Sequence, residues 1–282
     1  VKLLPLPSDG RTPVRVLTIA GTDSGGGAGI QADTRTMALL GVHACVAVAA
    51  VTVQNSVGVS GFHEIPPQTV ADQVRVVAAD IGIGAAKTGM LASTAIIEAV
   101  AAACGETGIG QHGAIPLVVD PVAASMHGDP LLHDSALDAL RQTLIPLATV
   151  VTPNLDEVRL LTGIDVTDDR TGRKAAEALH ALGPRWAIVK GGHLRSSDFS
   201  TDLLFDGERF HELSAPRIDT GDDHGGGDTL AAATACALAH GYEVPDAIAF
   251  AKEWTTRCLK AAYPLGAGHG PVSPLWRLSE KW

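Results

Sequence analysis

Aromatic residues are only 4% of the 282-residue chain: four Trp, two Tyr and five Phe. Its core must therefore be built from Ala, Val, Leu and Ile. The 46% hydrophobic content supplies enough of these for one large α/β domain. Charge is scarce too, at 18% of residues, and the basic side is the smaller one: 21 − 31 = −10. A nucleic-acid surface needs basic stripes that such a chain lacks. A small anion held by backbone N–H groups and a few lysines is compatible with the same count. There are four cysteines, Cys45, Cys104, Cys236 and Cys258, with no CxxC pair and no metal spacing. Their apolar surroundings predict buried, reduced thiols. No apolar run reaches the roughly 18 residues that span a bilayer. Val1 to Pro13 has no signal-peptide core and reads as a loose tail. A cytoplasmic enzyme is expected.

What is there is alternation. Near-continuous apolar runs at Val14 to Ala20, Cys45 to Val53, Ala85 to Thr88, Leu117 to Val122, Val150 to Pro153 and Trp186 to Lys190 read as six strands. Helical patterns lie between them, at about 28–40, from Pro66 to about Asp80, from Ser93 as N-cap to Cys104, at 134–144, 154–162 and 172–182. Asp202 to Phe205 and Phe210 to Leu213 form a hairpin around Asp206-Gly207, and two helices follow, after Asp228 and over about 244–262. Strands of this kind between helices predict a mostly parallel sheet covered on both faces, with ligands beyond the strands' carboxyl ends. One domain over 14–275 is expected, flanked by tails 1–13 and 276–282.

The chemistry-bearing segments lie at those ends. Gly21 to Gly29 holds five glycines in nine residues, more than a plain turn needs, and implies close backbone approach to a small ligand. Asp23 or Asp33 could grip its polar atoms; the plainer reading makes Asp33 a helix-start residue. Gly27, Gly29 and Ala32 fit G-x-G-x-x-A, but no Asp or Glu occurs from Thr34 to His63, so dinucleotide binding fails. A P-loop is absent as well. Gln54 offers an amide that can pair with an aminopyrimidine edge, or simply closes its strand. Met90 lines an apolar pocket or belongs to the core. Asp120 and Glu157 are placed to hold Mg²⁺ near phosphates; Asn154 and Glu157 equally fit a capping box. Lys190 can meet a phosphate as a point charge or be a solvated strand end. His193 and His224 read as structural rather than metal ligands. His224-Gly225-Gly226-Gly227-Asp228-Thr229 opens a helix, where converging N–H groups suit an anion beside a carboxylate.

Taken in order, GTDSGGGAGIQAD, VTVQNSVGV, AAKTGMLA, VVDPV, TPNLDE, VKGGHL and HGGGDT closely resemble the bacterial hydroxymethylpyrimidine/phosphomethylpyrimidine kinases of thiamine biosynthesis, members of the ribokinase-like superfamily. The resemblance spans about Val14 to Pro274. It implies a three-layer α/β/α fold, a homodimer, Mg²⁺ and two ATP-dependent steps. The first phosphorylates 4-amino-5-hydroxymethyl-2-methylpyrimidine; the second converts its monophosphate to the diphosphate. By motif match the pyrimidine pocket draws on Gly21, Ala28, Asp33, Gln54, Met90 and Val122. Phosphates and metal fall to Asp120, Asn154, Glu157, Lys190 and the Gly225, Gly226, Gly227 loop, with Lys252 near the nucleotide.

Two departures stand out. The family's usual loop is His-Gly-Thr-Gly-Cys-Thr; here Gly226 replaces Thr and Asp228 replaces Cys. In the wider superfamily an aspartate at this place is the catalytic base, which implies that role for Asp228. Met126 stands where a lysine is usual. Competing readings are a pyridoxal-type kinase on the same fold and a non-catalytic pyrimidine-binding protein.

Overall fold

The computed structural model describes residues 4–123, 135–191 and 198–278. Met126 and His193 lie outside the described residues. The strands are β1 (Arg15–Ala20), β2 (His43–Val48), β3 (Ala50–Asn55), β4 (Gly58–Glu64), β5 (Ala85–Thr88), β6 (Leu117–Val119), β7 (Val150–Val151), β8 (Trp186–Val189), β9 (Phe199–Phe205) and β10 (Phe210–Pro216). The helices are α1 (Gly29–Leu39), α2 (Pro67–Val76), α3 (Thr94–Thr107), α4 (Ala136–Ala139), α5 (Leu155–Thr162), α6 (Asp169–His180), α7 (Gly226–Ala239) and α8 (Val244–Lys260). Eight strands form one sheet in the order β10-β9-β8-β7-β6-β5-β1-β2. The pairs from β2 through β8 are parallel; β9 and β10 are antiparallel.

The central strands β1, β5, β6, β7 and β8 bury both faces, so their side chains divide by parity between two cores. Leu17, Ile19, Ala86, Leu117, Val119, Val151, Ala187 and Val189 pack under α2 to α6. Val16, Ala85, Val118, Val150, Ile188 and Leu204 pack under α1, α7 and α8. The sheet, with helices on both sides, is the three-layer α/β/α arrangement that the alternation implies. All four cysteines are buried and free.

Several expected boundaries shift. The single run Cys45 to Val53 is two strands. Ala49, whose N–H donates to the Ala20 carbonyl at 2.9 Å, ends the sheet strand. β3 then leaves the main sheet to pair antiparallel with β4, a strand absent from the sequence reading. The fourth run stops at Val119, so Asp120 to Val122 lie past the strand end. Ser93 sits at the N-cap of α3 but does not cap it; its hydroxyl donates to Glu64 Oε2 at 2.6 Å instead. The helix after Pro66 ends at Val76 and continues as a π turn over Val77–Ile81. Nor are the chain's flanks loose throughout. Leu4 is 2% exposed within the α1/α7/α8 core, and the Trp276 ring lies 4.9 Å from that of Trp254.

Candidate active site

The glycine loop after β1 is organised by Asp23. Its carboxylate accepts from the N–H groups of Gly25 (2.7 Å), Gly27 and Ala28 (both 2.8 Å), and His224 Nε2 lies 3.1 Å away. Burial acts to raise the Asp23 carboxyl, but the His224 contact and the N–H bonds win and hold it below its usual range. Asp23 therefore shapes the loop rather than gripping a ligand. A Cβ at Gly27 would lie 2.4 Å from His224 Cδ2, so glycine there lets the imidazole close over the loop.

β3 delivers Gln54 through a register shift between Val53 and Gln54, an irregularity of the kind that re-aims a side chain. Ser24 fixes its backbone, donating to the Gln54 carbonyl at 2.6 Å and accepting from its N–H at 2.8 Å. Gln54 Nε2 comes to 3.4 Å from His224 Nε2. Gly21 backs onto Met90, whose Sδ would be 3.1 Å from a Cβ at position 21. Met90 is buried and Val122 partly buried against the same core. Gly21, Ala28, Gln54, Met90 and Val122 thus sit at the ends of β1, β3, β5 and β6 and in the loops that follow them.

Asp33 does not join them. It is fully buried on α1, with both oxygens engaged by Lys87 Nζ, at 2.8 and 2.9 Å, and Oδ2 also accepting from Thr18 at 2.6 Å. The ligand-gripping role expected of it is corrected: no surface of Asp33 is open to a substrate. Burial, helped by Asp228, outweighs Lys87 and Thr18 and leaves its carboxyl raised to about 7. For Lys87, burial works against the charged form, but Asp33, Asp228 and Asp120 outweigh it and keep the ammonium protonated. The same Nζ reaches Asp228 Oδ1 at 3.0 Å.

The phosphate side gathers beyond β6, β7 and β8. Asp120 accepts from Thr152 Oγ1 at 2.9 Å and lies 3.6 Å from Lys190 Nζ. The first turn of α7 abuts both: a Cβ at Gly227 would sit 3.6 Å from Asp120 Oδ2 and from Lys190 Nζ. Gly225, at φ +78°, precedes that turn. The first N–H groups of a helix have no acceptor within it, so this end can receive an anion.

Asn154 and Glu157 do form the capping box. Asn154 N–H donates to Glu157 Oε2 at 2.8 Å, and Glu157 N–H to Asn154 Oδ1 at 2.9 Å. Only the amide nitrogen of Asn154 is left for a phosphate. Burial, with Asp120 adding and Lys190 subtracting, pushes the Glu157 carboxyl up to about 8. Above its ordinary value of 4.5 the unfolded chain has lost this proton while the folded one keeps it. Stability should therefore fall as pH rises from about 4.5 to about 8. Melting curves of metal-free protein across that window should show the decline, and Glu157→Gln should flatten it. An identical slope in the variant would remove Glu157 as its source.

Lys252 is also buried, paired with Asp202 Oδ2 at 2.8 Å, while Asp202 Oδ1 accepts from Gly191 N–H at 2.9 Å. It lines a groove of about 620 Å³ between β10 and α8. Among the described residues no cluster of three or more His, Cys, Asp or Glu is arranged for a metal, and no helix is long and apolar enough to cross a membrane. Sequence reasoning missed Lys87 and Thr18. The available signal was a polar residue on the α1/α7 face of an otherwise apolar strand, at the paired positions Thr18 and Lys87.

Comparison with known proteins agrees with this geometry. The family model described as phosphomethylpyrimidine kinase matches residues 23–273. A hydroxymethylpyrimidine/phosphomethylpyrimidine kinase of Mycobacterium leprae is 68% identical over 97% of this chain and 98% of its own. One of Streptomyces coelicolor is 52% identical over 97% and 99%. The Bacillus subtilis pyridoxal kinase, solved as an ADP complex, superposes with a TM-score of 0.85 at 36% identity, covering 95% of this chain and 100% of that one. The phosphomethylpyrimidine kinase of Clostridium difficile gives a TM-score of 0.75 at 34% identity over 86% and 98%. With the glycine loops, the buried lysine and the α7 carboxylate all at one end of the sheet, this chain belongs to the phosphomethylpyrimidine kinase family.

Proposed function

We propose that the chain transfers the γ-phosphoryl group of ATP to the hydroxymethyl oxygen of 4-amino-5-hydroxymethyl-2-methylpyrimidine, and then phosphorylates the monophosphate to the diphosphate, in thiamine biosynthesis. The observation that carries this reading is Asp228. Its carboxylate stands in the first turn of α7, held by Lys87 at 3.0 Å, while Lys190 and Asp120 flank Gly227 in the same turn. A hydroxyl acceptor and a phosphoryl donor can meet there. Asp228 takes the hydroxyl proton as the oxygen bonds to phosphorus and ADP leaves. The N–H groups of Gly225 and Gly227, with Lys190, receive the charge that develops on the transferring oxygens, while the Gly226 N–H donates to the Asp223 carbonyl at 3.1 Å. The groove beside Lys252 is the candidate place for the nucleotide.

Asp120 and Glu157 fit Mg²⁺ as a pair of neighbouring carboxylates, since this ion takes one or two protein carboxylates and completes its shell with water and phosphate. Burial raises the Glu157 carboxyl, opposed by Lys190 and helped by Asp120, and a cation between the two acids would offset that rise. Bound there, Mg²⁺ supplies charge neutralisation on the phosphates.

Mass analysis of the products from hydroxymethylpyrimidine and Mg-ATP tests the reading. Diphosphate supports both steps and monophosphate alone supports one; no phosphorylated product sinks it. The pyridoxal kinase likeness of the fold favours a second reading, phosphorylation of pyridoxal, and the same assay with pyridoxal measures it. For recognition, Gln54→Ala should raise the pyrimidine KM about tenfold, the loss of one or two hydrogen bonds, with kcat within about threefold. Unchanged pyrimidine affinity would take Gln54 out of the site.

A further inference from the structure

We propose that Lys87 is a positioning residue for phosphoryl transfer: anchored through Asp33 and Thr18, it holds Asp228 by one oxygen and leaves the other to accept the substrate proton. The proposal rests on the reading of Asp228 as the base. Thr18 and Lys87 are cross-strand neighbours on β1 and β5, on the face covered by α1 and α7. From Thr18 Oγ1 a chain of bonds runs to Asp33 Oδ2 (2.6 Å), from both Asp33 oxygens to Lys87 Nζ (2.8 and 2.9 Å), and from Nζ to Asp228 Oδ1 (3.0 Å).

The count of donors decides what Lys87 does. Three carboxylate oxygens lie within hydrogen-bond distance of Nζ, as many as an ammonium has N–H bonds. Lys87 is completely buried, whereas the Asp228 side chain is 15% exposed. Lys87 therefore touches no phosphate and no substrate; it acts through Asp228. Lys190, 3.6 Å from Asp120, keeps N–H groups for an anion. The surroundings are fitted to Lys87 as well. A Cβ at Gly89 would lie 3.2 Å from its Nζ, so the position after Thr88 leaves the ammonium its room. The other ionisable groups near the cluster are Asp120, beyond the adjacent strand β6, and Cys236 on α7. A cation between two carboxylates fixes both in direction, as a merely space-filling side chain would not.

Lys87→Met alone strands a buried carboxylate, so the working variant is Asp33→Asn/Lys87→Met, which removes the ion pair as a unit. Its melting curve, and its kcat and KM for hydroxymethylpyrimidine, are measured beside those of Asp228→Asn and the triple variant. The pair change should lower kcat about 30- to 100-fold with KM within about threefold. In the Asp228→Asn background the same change should cost less than about threefold more, because residues acting through one another are non-additive. Thr18→Val, which keeps all three charges and loosens only the far anchor, should lower kcat about threefold at unchanged KM. A normal kcat in the pair variant or in Thr18→Val, a loss seen only in KM, or an equal loss with and without Asp228 would each overturn the proposal. A crippled Asp228→Asn beside a normal pair variant overturns the positioning role alone. A near-normal Asp228→Asn removes the base, and the positioning role with it.

Discussion

Asp228→Asn is expected to lower kcat about 10²- to 10³-fold while the KM values for ATP and the pyrimidine stay within about threefold, the lower half of the range for losing a general base. Two features set the magnitude. Phosphoryl transfer passes through a loose transition state, so much of the catalysis comes from positioning and charge neutralisation that the variant keeps. Asparagine also keeps the shape of the side chain and an oxygen for Lys87 Nζ, which lies 3.0 Å from Asp228 Oδ1. What it loses is the capacity to take a proton. Asp228→Ala removes the acceptor as well, leaving a fully buried ammonium with an unpaired N–H, so it should melt lower than Asp228→Asn. Steady-state assays coupled to ADP release, with melting curves on both variants, separate the two effects. Turnover near that of the parent enzyme in both would end the base role.

How far the site could be read from the chain follows from what each residue does. The glycine loop after β1, Gln54 and Lys190 announce themselves because each breaks an apolar run at a strand's end, where ligands of open α/β sheets bind, and Gly225 to Asp228 because they open an apolar helix. The sheet itself was legible for the same reason: runs buried on both faces leave an unmistakable apolar block. The break between β2 and β3 was not legible. Ala49-Ala50 carries no glycine or proline, and the hydrogen bonds that separate the two strands, Ala49 N–H to Ala20 and Thr22 N–H to Ala50, come from β1 and the loop after it, distant in sequence. The roles of the acids were not legible either. Asp23, Asp33 and Asp228 are identical in type, and only tertiary contacts divide them into a loop organiser, a buried counter-ion and a carboxylate with an exposed edge. Glu157 resisted for the opposite reason. The capping box and the acidic pair with Asp120 are both present, so the two readings of that residue describe one side chain.

The second large effect is expected at Gly225, and its neighbour supplies the control. Gly225 has φ +78°, and a Cβ there would stand 2.0 Å from the carbonyl oxygen of Gly27. The obstacle is backbone, so no rotamer change relieves it, and the left-handed conformation adds its own strain for any residue with a Cβ. Gly225→Ala must push the 225–228 turn off the 21–29 loop, which carry the candidate phosphate and pyrimidine contacts respectively. The variant should lose about 2–4 kcal/mol of stability, the scale of backbone strain joined to overpacking, and at least about 100-fold in kcat/KM, since a shift near 1 Å at the reacting groups is enough for that. Gly226, one residue on, has no positive φ, and the nearest atom to its Cβ position is Val272 Cγ1 at 3.8 Å. It is also the first residue of α7, where alanine gains about 0.5–1 kcal/mol over glycine in helix propensity. Gly226→Ala should therefore melt no lower than the parent and keep kcat/KM within about threefold. The open space also explains how a related loop can carry threonine at this place. If the two alanine variants behaved alike in melting and in rate, the contact between the glycine loops would not be what sets the geometry of transfer.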